Sequence, residues 1–142
     1  MINEYQPTLA LFYCQNIPES SEQDRQALEE KYGSCIRLFP VPCSGRVEPV
    51  HLLRALEEFA DIAYVLGCAE GNCHYFEGNQ RVKKRVERAR MIISAIGLEE
   101  ERLGIILESK EAPKPLAKMV EEILDRASHI KPSPALRAAQ PA

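Results

Sequence analysis

Five cysteines carry the reactive chemistry of this 142-residue chain: Cys14, Cys35, Cys43, Cys68 and Cys73. The last two lie in one stretch, Gly67-Cys68-Ala69-Glu70-Gly71-Asn72-Cys73-His74-Tyr75-Phe76-Glu77-Gly78-Asn79, with an apolar run before it and a strongly patterned helix after it. Glycine permits the positive φ angles of a ligand loop and lets backbone N–H groups approach sulfur closely. Such a loop reads as a cluster or metal loop, or as a glycine-rich turn that holds two buried thiols. Desolvated thiolates gathered in one pocket repel, so a cation must compensate them. Iron–sulfur clusters and zinc both accept four thiolates. Structural zinc favours two close cysteine pairs, and only one close pair exists here, which fits a larger cluster better. A third chemistry is a cysteine-thiolate enzyme, with Cys43 or Cys68 as nucleophile at a strand-to-helix junction.

The elements that must position these thiols follow from the hydrophobic pattern. Strands are expected at Thr8–Tyr13, Ile36–Val41, Ile62–Leu66 and Leu103–Leu107, each a short apolar run of the kind buried in parallel sheets. Helices are expected from about Ser21 to Tyr32, Glu48 to Phe59, Gln80 to Ile96 and Pro115 to Ser128. Val50, Leu53 and Leu56 or Glu57 mark the inward face of the second, widened by Leu52. Val82, Val86, Ala89, Ile93 and Ile96 mark that of the third, opposite Arg81, Lys83, Lys84, Arg85 and Arg88. Strict alternation implies an α/β fold: one doubly wound, flavodoxin-like domain over residues 1–130, with a four-stranded parallel sheet in the order 2-1-3-4. Residues 131–142 read as a flexible C-terminal tail.

In that topology the carboxyl ends of the strands share one edge. Cys14, Cys43 and Cys68 end strands one, two and three, which are adjacent and about 4.8 Å apart, and Cys73 lies in the adjoining loop. Cys35 begins strand two, roughly 25 Å of extended chain from Cys43, and belongs to the opposite edge. His74 is a candidate iron ligand, hydrogen-bond partner of a cluster or proton carrier, and Tyr75 and Phe76 are candidate shields or partner contacts. Arg46 reads as a nearby positive charge or a solvated loop residue. His51 and His129 read as incidental.

The net charge of −3 gives no basis for bulk nucleic-acid binding. No apolar run approaches the ~20 residues that span a bilayer, and the first residues lack the regions of a signal peptide. A cytoplasmic chain is expected, in which five cysteines point to ligation or redox chemistry rather than to disulfides.

Two motifs also resemble a known family. Val41-Pro42-Cys43-Ser44-Gly45-Arg46-Val47-Glu48-Pro49, then Val65-Leu66-Gly67-Cys68 through Gly71-Asn72-Cys73-His74-Tyr75 and Glu77-Gly78-Asn79, are similar to the methyl-viologen-reducing hydrogenase delta-subunit family. The resemblance runs in order from about Leu9 to Arg126. It implies a non-catalytic electron-transfer subunit with a [2Fe–2S] cluster held by Cys14, Cys43, Cys68 and Cys73. Its partners would be a hydrogenase or formate-dehydrogenase-type donor and a heterodisulfide-reductase-like flavoprotein. The family usually carries Cys-x-x-Cys after its first strand, whereas this chain has Cys14-Gln15-Asn16-Ile17. The resemblance therefore leaves three ligands if the replaced cysteine is needed, and four if Cys14 serves. A zinc-binding structural or assembly module and a cysteine-thiolate enzyme are the alternatives.

Overall fold

The computed structural model describes residues 7–15, 17–42, 46–67, 78–107 and 114–134, the first three of α3 as backbone only. Strand β1 (Leu9–Cys14) leads through helix α1 (Glu22–Tyr32) to β2 (Ile36–Val41), and α2 (Pro49–Glu58) leads to β3 (Ile62–Gly67). Helix α3 (Gly78–Ala95), β4 (Leu103–Leu107) and α4 (Leu116–Arg126) complete the order. All strand pairs are parallel, in the order β2-β1-β3-β4. This is the α/β, flavodoxin-like arrangement expected from the alternation.

Each face of the sheet has its own core. Leu9, Leu11 and Tyr13 pack with Leu28 of α1 and with Leu116, Met119, Val120 and Ile123 of α4. On the other face Ala10, Ala63 and Val65 pack with Leu52, Ala55 and Leu56 of α2 and with Val82, Val86, Ala89 and Ile93 of α3. Successive strand residues point to opposite faces, so apolar runs without alternation are what a sheet covered on both sides requires.

Local signals set the helix ends. The Ser21 side chain accepts the Asp24 N–H while the Asp24 carboxylate accepts the Ser21 N–H, a reciprocal capping box. Gly33, at φ +64°, ends α1 in a conformation that a side chain would strain. Two expectations about helix faces fail. Val50 is 52% exposed because Leu52, Ala55 and Leu56 form the inward stripe. Ile96 is 71% exposed because α3 stops at Ala95 and a turn carries the chain through Gly97.

At the amino edge of the sheet, the buried Asp61 carboxylate accepts the Thr8 N–H (3.0 Å) and the Ser133 N–H (2.8 Å). Beside it Arg102, 1% exposed, donates Nε to Glu99 (2.8 Å) and a terminal nitrogen to the Asp61 carbonyl (3.1 Å). Ser133 is thus buried and anchored, within the segment expected as a tail; residues 135–142 lie outside the described residues. Among the described residues no helix is long and apolar enough to cross a membrane.

Candidate metal centre

The carboxyl edge of the sheet collects the ends of β1, β2 and β3. Cys14 is the last residue of β1 and pairs with Val41, the last of β2. On the other side Tyr13 pairs with Leu66, one residue before the end of β3. One proline separates Val41 from Cys43, and Cys68 follows Gly67 directly. Cys43, Cys68, Cys73, His74, Tyr75 and Phe76 lie outside the described residues. Adjacent strands run about 4.8 Å apart. The chain positions that lead into Cys43 and Cys68 therefore flank Cys14 on either side.

Cys14 is held in place. Its side chain is 1% exposed and its Sγ lies 3.9 Å from the carbonyl oxygen of Pro42, the residue before Cys43. The Gln15 N–H continues the ladder by donating to the Val41 carbonyl (3.0 Å). The chain then turns at once, with the Ile17 N–H donating to the Cys14 carbonyl (3.1 Å). Ser20 Oγ donates to the Ile17 carbonyl (2.6 Å), and the Leu116 N–H at the start of α4 donates to the Pro18 carbonyl (3.0 Å). Ile17, where the sequence lacks the second cysteine, is buried in the same cluster as Cys14 and Leu116.

Several neighbouring groups depart from what the sequence suggests. Arg85, expected on a solvated face, donates to the carbonyl of buried Val47 (3.1 Å). It thereby ties α3 to Val47 within the Cys43 motif. His51 Nδ1 accepts the Glu48 N–H (2.9 Å) and so caps α2, and its ring faces that of Phe12 at 6.4 Å. The signal that could have found it is Glu48-x-x-His51 ahead of a helix, an unusual form of the capping pattern. His129 pairs with Glu101 (2.9 Å) after α4. Arg46 is exposed. Cys35 is half-buried ahead of Ile36, whose partner in β1 is Leu9, so it belongs to the opposite edge as expected.

Burial pushes the Tyr13 phenol above the usual tyrosine range, partly offset by the Arg25 guanidinium. Arg25 pairs with Glu22 and Glu29. Its hydrogen bond holds the Glu22 carboxyl below the usual range, and Glu22 in turn pushes the guanidinium up. A neutral tyrosine therefore stands beside Cys14 in β1.

Among the described residues no group of three or more His, Cys, Asp or Glu side chains is arranged to hold a metal ion. A soft thiol donor, buried and fixed at the junction of three strand ends, suits a thiophilic centre in donor chemistry.

Comparison with known proteins bears on which centre. The sequence model of the family described as methyl-viologen-reducing hydrogenase, delta subunit, matches residues 9–130. The chain is 38% identical over 103 residues to the vhu iron-sulfur subunit of the F420-non-reducing hydrogenase of Methanopyrus kandleri, covering 72% of this chain and 77% of that one. It is 26% identical over 129 residues to the protein of the same name in Methanococcus maripaludis, covering 91% and 96%. It is also 33% identical over 102 residues to one subunit of the ferredoxin/F(420)H(2)-dependent CoB-CoM heterodisulfide reductase of Methanosarcina acetivorans, covering 72% of this chain but 13% of that one.

Proposed function

The chain belongs to the methyl-viologen-reducing hydrogenase delta-subunit family, and from that premise we propose that it is an electron-transfer subunit. In this reading Cys14, Cys43, Cys68 and Cys73 hold a [2Fe–2S] cluster at the carboxyl edge of the sheet. Electrons pass between a hydrogenase or formate-dehydrogenase-type donor and a heterodisulfide-reductase-like flavoprotein, in the cytoplasm. The carrying observation is the strand register, which sets Cys14 between the chain positions that lead into Cys43 and Cys68. The relatives support the rest: several are named iron-sulfur subunits of hydrogenases. In another, the matching region is part of a polypeptide named for a heterodisulfide reductase.

When bound, such a cluster supplies reversible one-electron chemistry. The chain's own residues keep Cys14 dry and oriented. Ile17 and Tyr13 close the core beneath it, and the pinned turn after it leaves little to reorganise when charge changes. Helix α3 begins on the loop side, so its partial positive end favours an anionic set of thiolates. Protein purified or reconstituted without oxygen is expected to be red-brown, to contain iron and acid-labile sulfide, and to give a paramagnetic signal on reduction. Zinc without sulfide would move the reading to an assembly module. A colourless protein with one thiol that alkylates fast at mildly acidic pH would move it to a thiolate enzyme.

A further inference from the structure

The sheet has two edges, and they are built differently. Edge strand β2 carries exposed Arg37 and exposed Pro40, a charge and a missing N–H donor of the kind that discourages added strands. Edge strand β4 reads Leu-Gly-Ile-Ile-Leu, with no charge and no proline, and it is half-buried from Gly104 to Leu107. Among the described residues its one strand neighbour is β3, so backbone groups of alternate residues point away from the sheet.

Beside the start of β4 runs a groove of about 330 Å³, floored by Tyr64, Gly104 and Ile105. Its walls carry two arginines and come from both faces of the sheet: Arg90 from α3, Arg126 at the end of α4 and His129 just after it. The Arg90 Nε is buried without a hydrogen-bond partner among the described residues, and its contacts to Glu87 and Glu100 are long, at 3.9 Å. No ion pair among the described residues involves Arg126. Glu101, the acidic residue of the groove, is taken up by His129.

We propose that β4 takes up an extended, acidic segment of a partner protein as a fifth strand. The strand's outward backbone groups would pair with it, while Arg90 and Arg126 grip carboxylates on its two sides. Charge selects this occupant. Residues 135–142 of this chain contain Arg137 and no acidic residue, the wrong sign for this groove, and the β4 edge of a second copy would bring its own Arg90 and Arg126 against these. The proposal rests on reading the chain as one component of a complex.

The test follows amide hydrogen exchange and NMR shifts of residues 103–107 in the full chain. The probe is a capped peptide of about six residues, the usual strand length, alternating glutamate and valine. A control peptide has lysine for glutamate. The glutamate peptide should protect β4 amides and the lysine peptide should not. Arg126→Glu, on an exposed side chain, should weaken binding about tenfold, as should Ile105→Lys, which copies the guard on the β2 edge. Equal response to both peptides, or to neither, overturns the proposal. So does slow exchange of all five β4 amides in the free chain, because the edge is then already covered by residues of this protein; concentration-dependent protection assigns the edge to a second copy and overturns it too. Iron and sulfide content, measured on the same samples, reads the cluster assignment separately.

Discussion

The Ile17 side chain, 3% exposed, packs in one cluster with Cys14 and Leu116, at the position where the resemblance leads one to expect a thiol. If Cys14 is the ligand from β1, then Cys14→Ser lowers iron and sulfide content on reconstitution, whereas Ile17→Cys leaves both unchanged. Ile17→Cys should instead cost about 1–3 kcal/mol of stability from lost packing, read by chemical denaturation. A gain of iron in Ile17→Cys would mean that the chain is short of a ligand. A second residue-scale expectation concerns Glu99. Its hydrogen bond from buried Arg102 holds its carboxyl below the usual range, so the folded state binds this proton less readily than the unfolded one. Its contribution is complete above the ordinary carboxylate pKa and disappears as pH falls through the lowered one. Glu99→Gln should cost about 0.5–1 kcal/mol near neutral pH, kept small because Glu99 is half exposed, and the gap from wild type should close on acidification. Parallel urea titrations across the acid range would show it.

Among the elements, β4 meets β3 closely where Tyr64 crosses Gly104. A Cβ at Gly104 would lie 2.7 Å from ring carbons of Tyr64, whose backbone is its partner in the β3–β4 ladder. Gly104→Ala is expected to cost about 1–3 kcal/mol, and Tyr64→Val in the same chain should recover part of that, giving a clear coupling in a double-mutant cycle. Additive losses would show that the ring moves aside freely. The strands were legible because short, unbroken apolar runs flanked by loop residues have few other places to go than a sheet covered on both faces. Helix faces were less so. Val50 and Leu52 are both apolar on α2, and only the direction in which the helix crosses the sheet decides that Leu52 goes in. Ile96 extends the inward spacing of α3 on paper, but the helix ends before reaching it.

Over the whole molecule, the candidate site was legible to the extent that topology alone defines it. A parallel sheet in the order 2-1-3-4 sends the ends of β1, β2 and β3 to one edge, whatever the loops do. The role of Arg85 was not legible, because it acts on a backbone group 38 residues away, whereas that of His51 was carried by a local but unusual form of the capping pattern. The Asp61 clasp was also hidden, since it joins Thr8 to Ser133 across nearly the full length of the described chain. Asp61→Ala orphans two backbone donors in a buried place, and a loss of about 3 kcal/mol is expected. Hydrogen exchange should then speed up at Ser133 ahead of the sheet interior. Equal acceleration everywhere would mean that the clasp is not a separate unit.

That clasp has a consequence for the gene as much as for the fold. Because one carboxylate gathers both extremities of the folded unit on the side away from Cys14, new coding sequence can be spliced on at either extremity without crowding Cys14. A circularly permuted version, its old extremities joined by a short linker and reopened in the exposed turn around Gly97, which spares the pinned turn after Cys14, should fold like its parent. The Methanosarcina acetivorans relative, where the matching stretch is 13% of a much longer polypeptide, is the natural counterpart of such a graft.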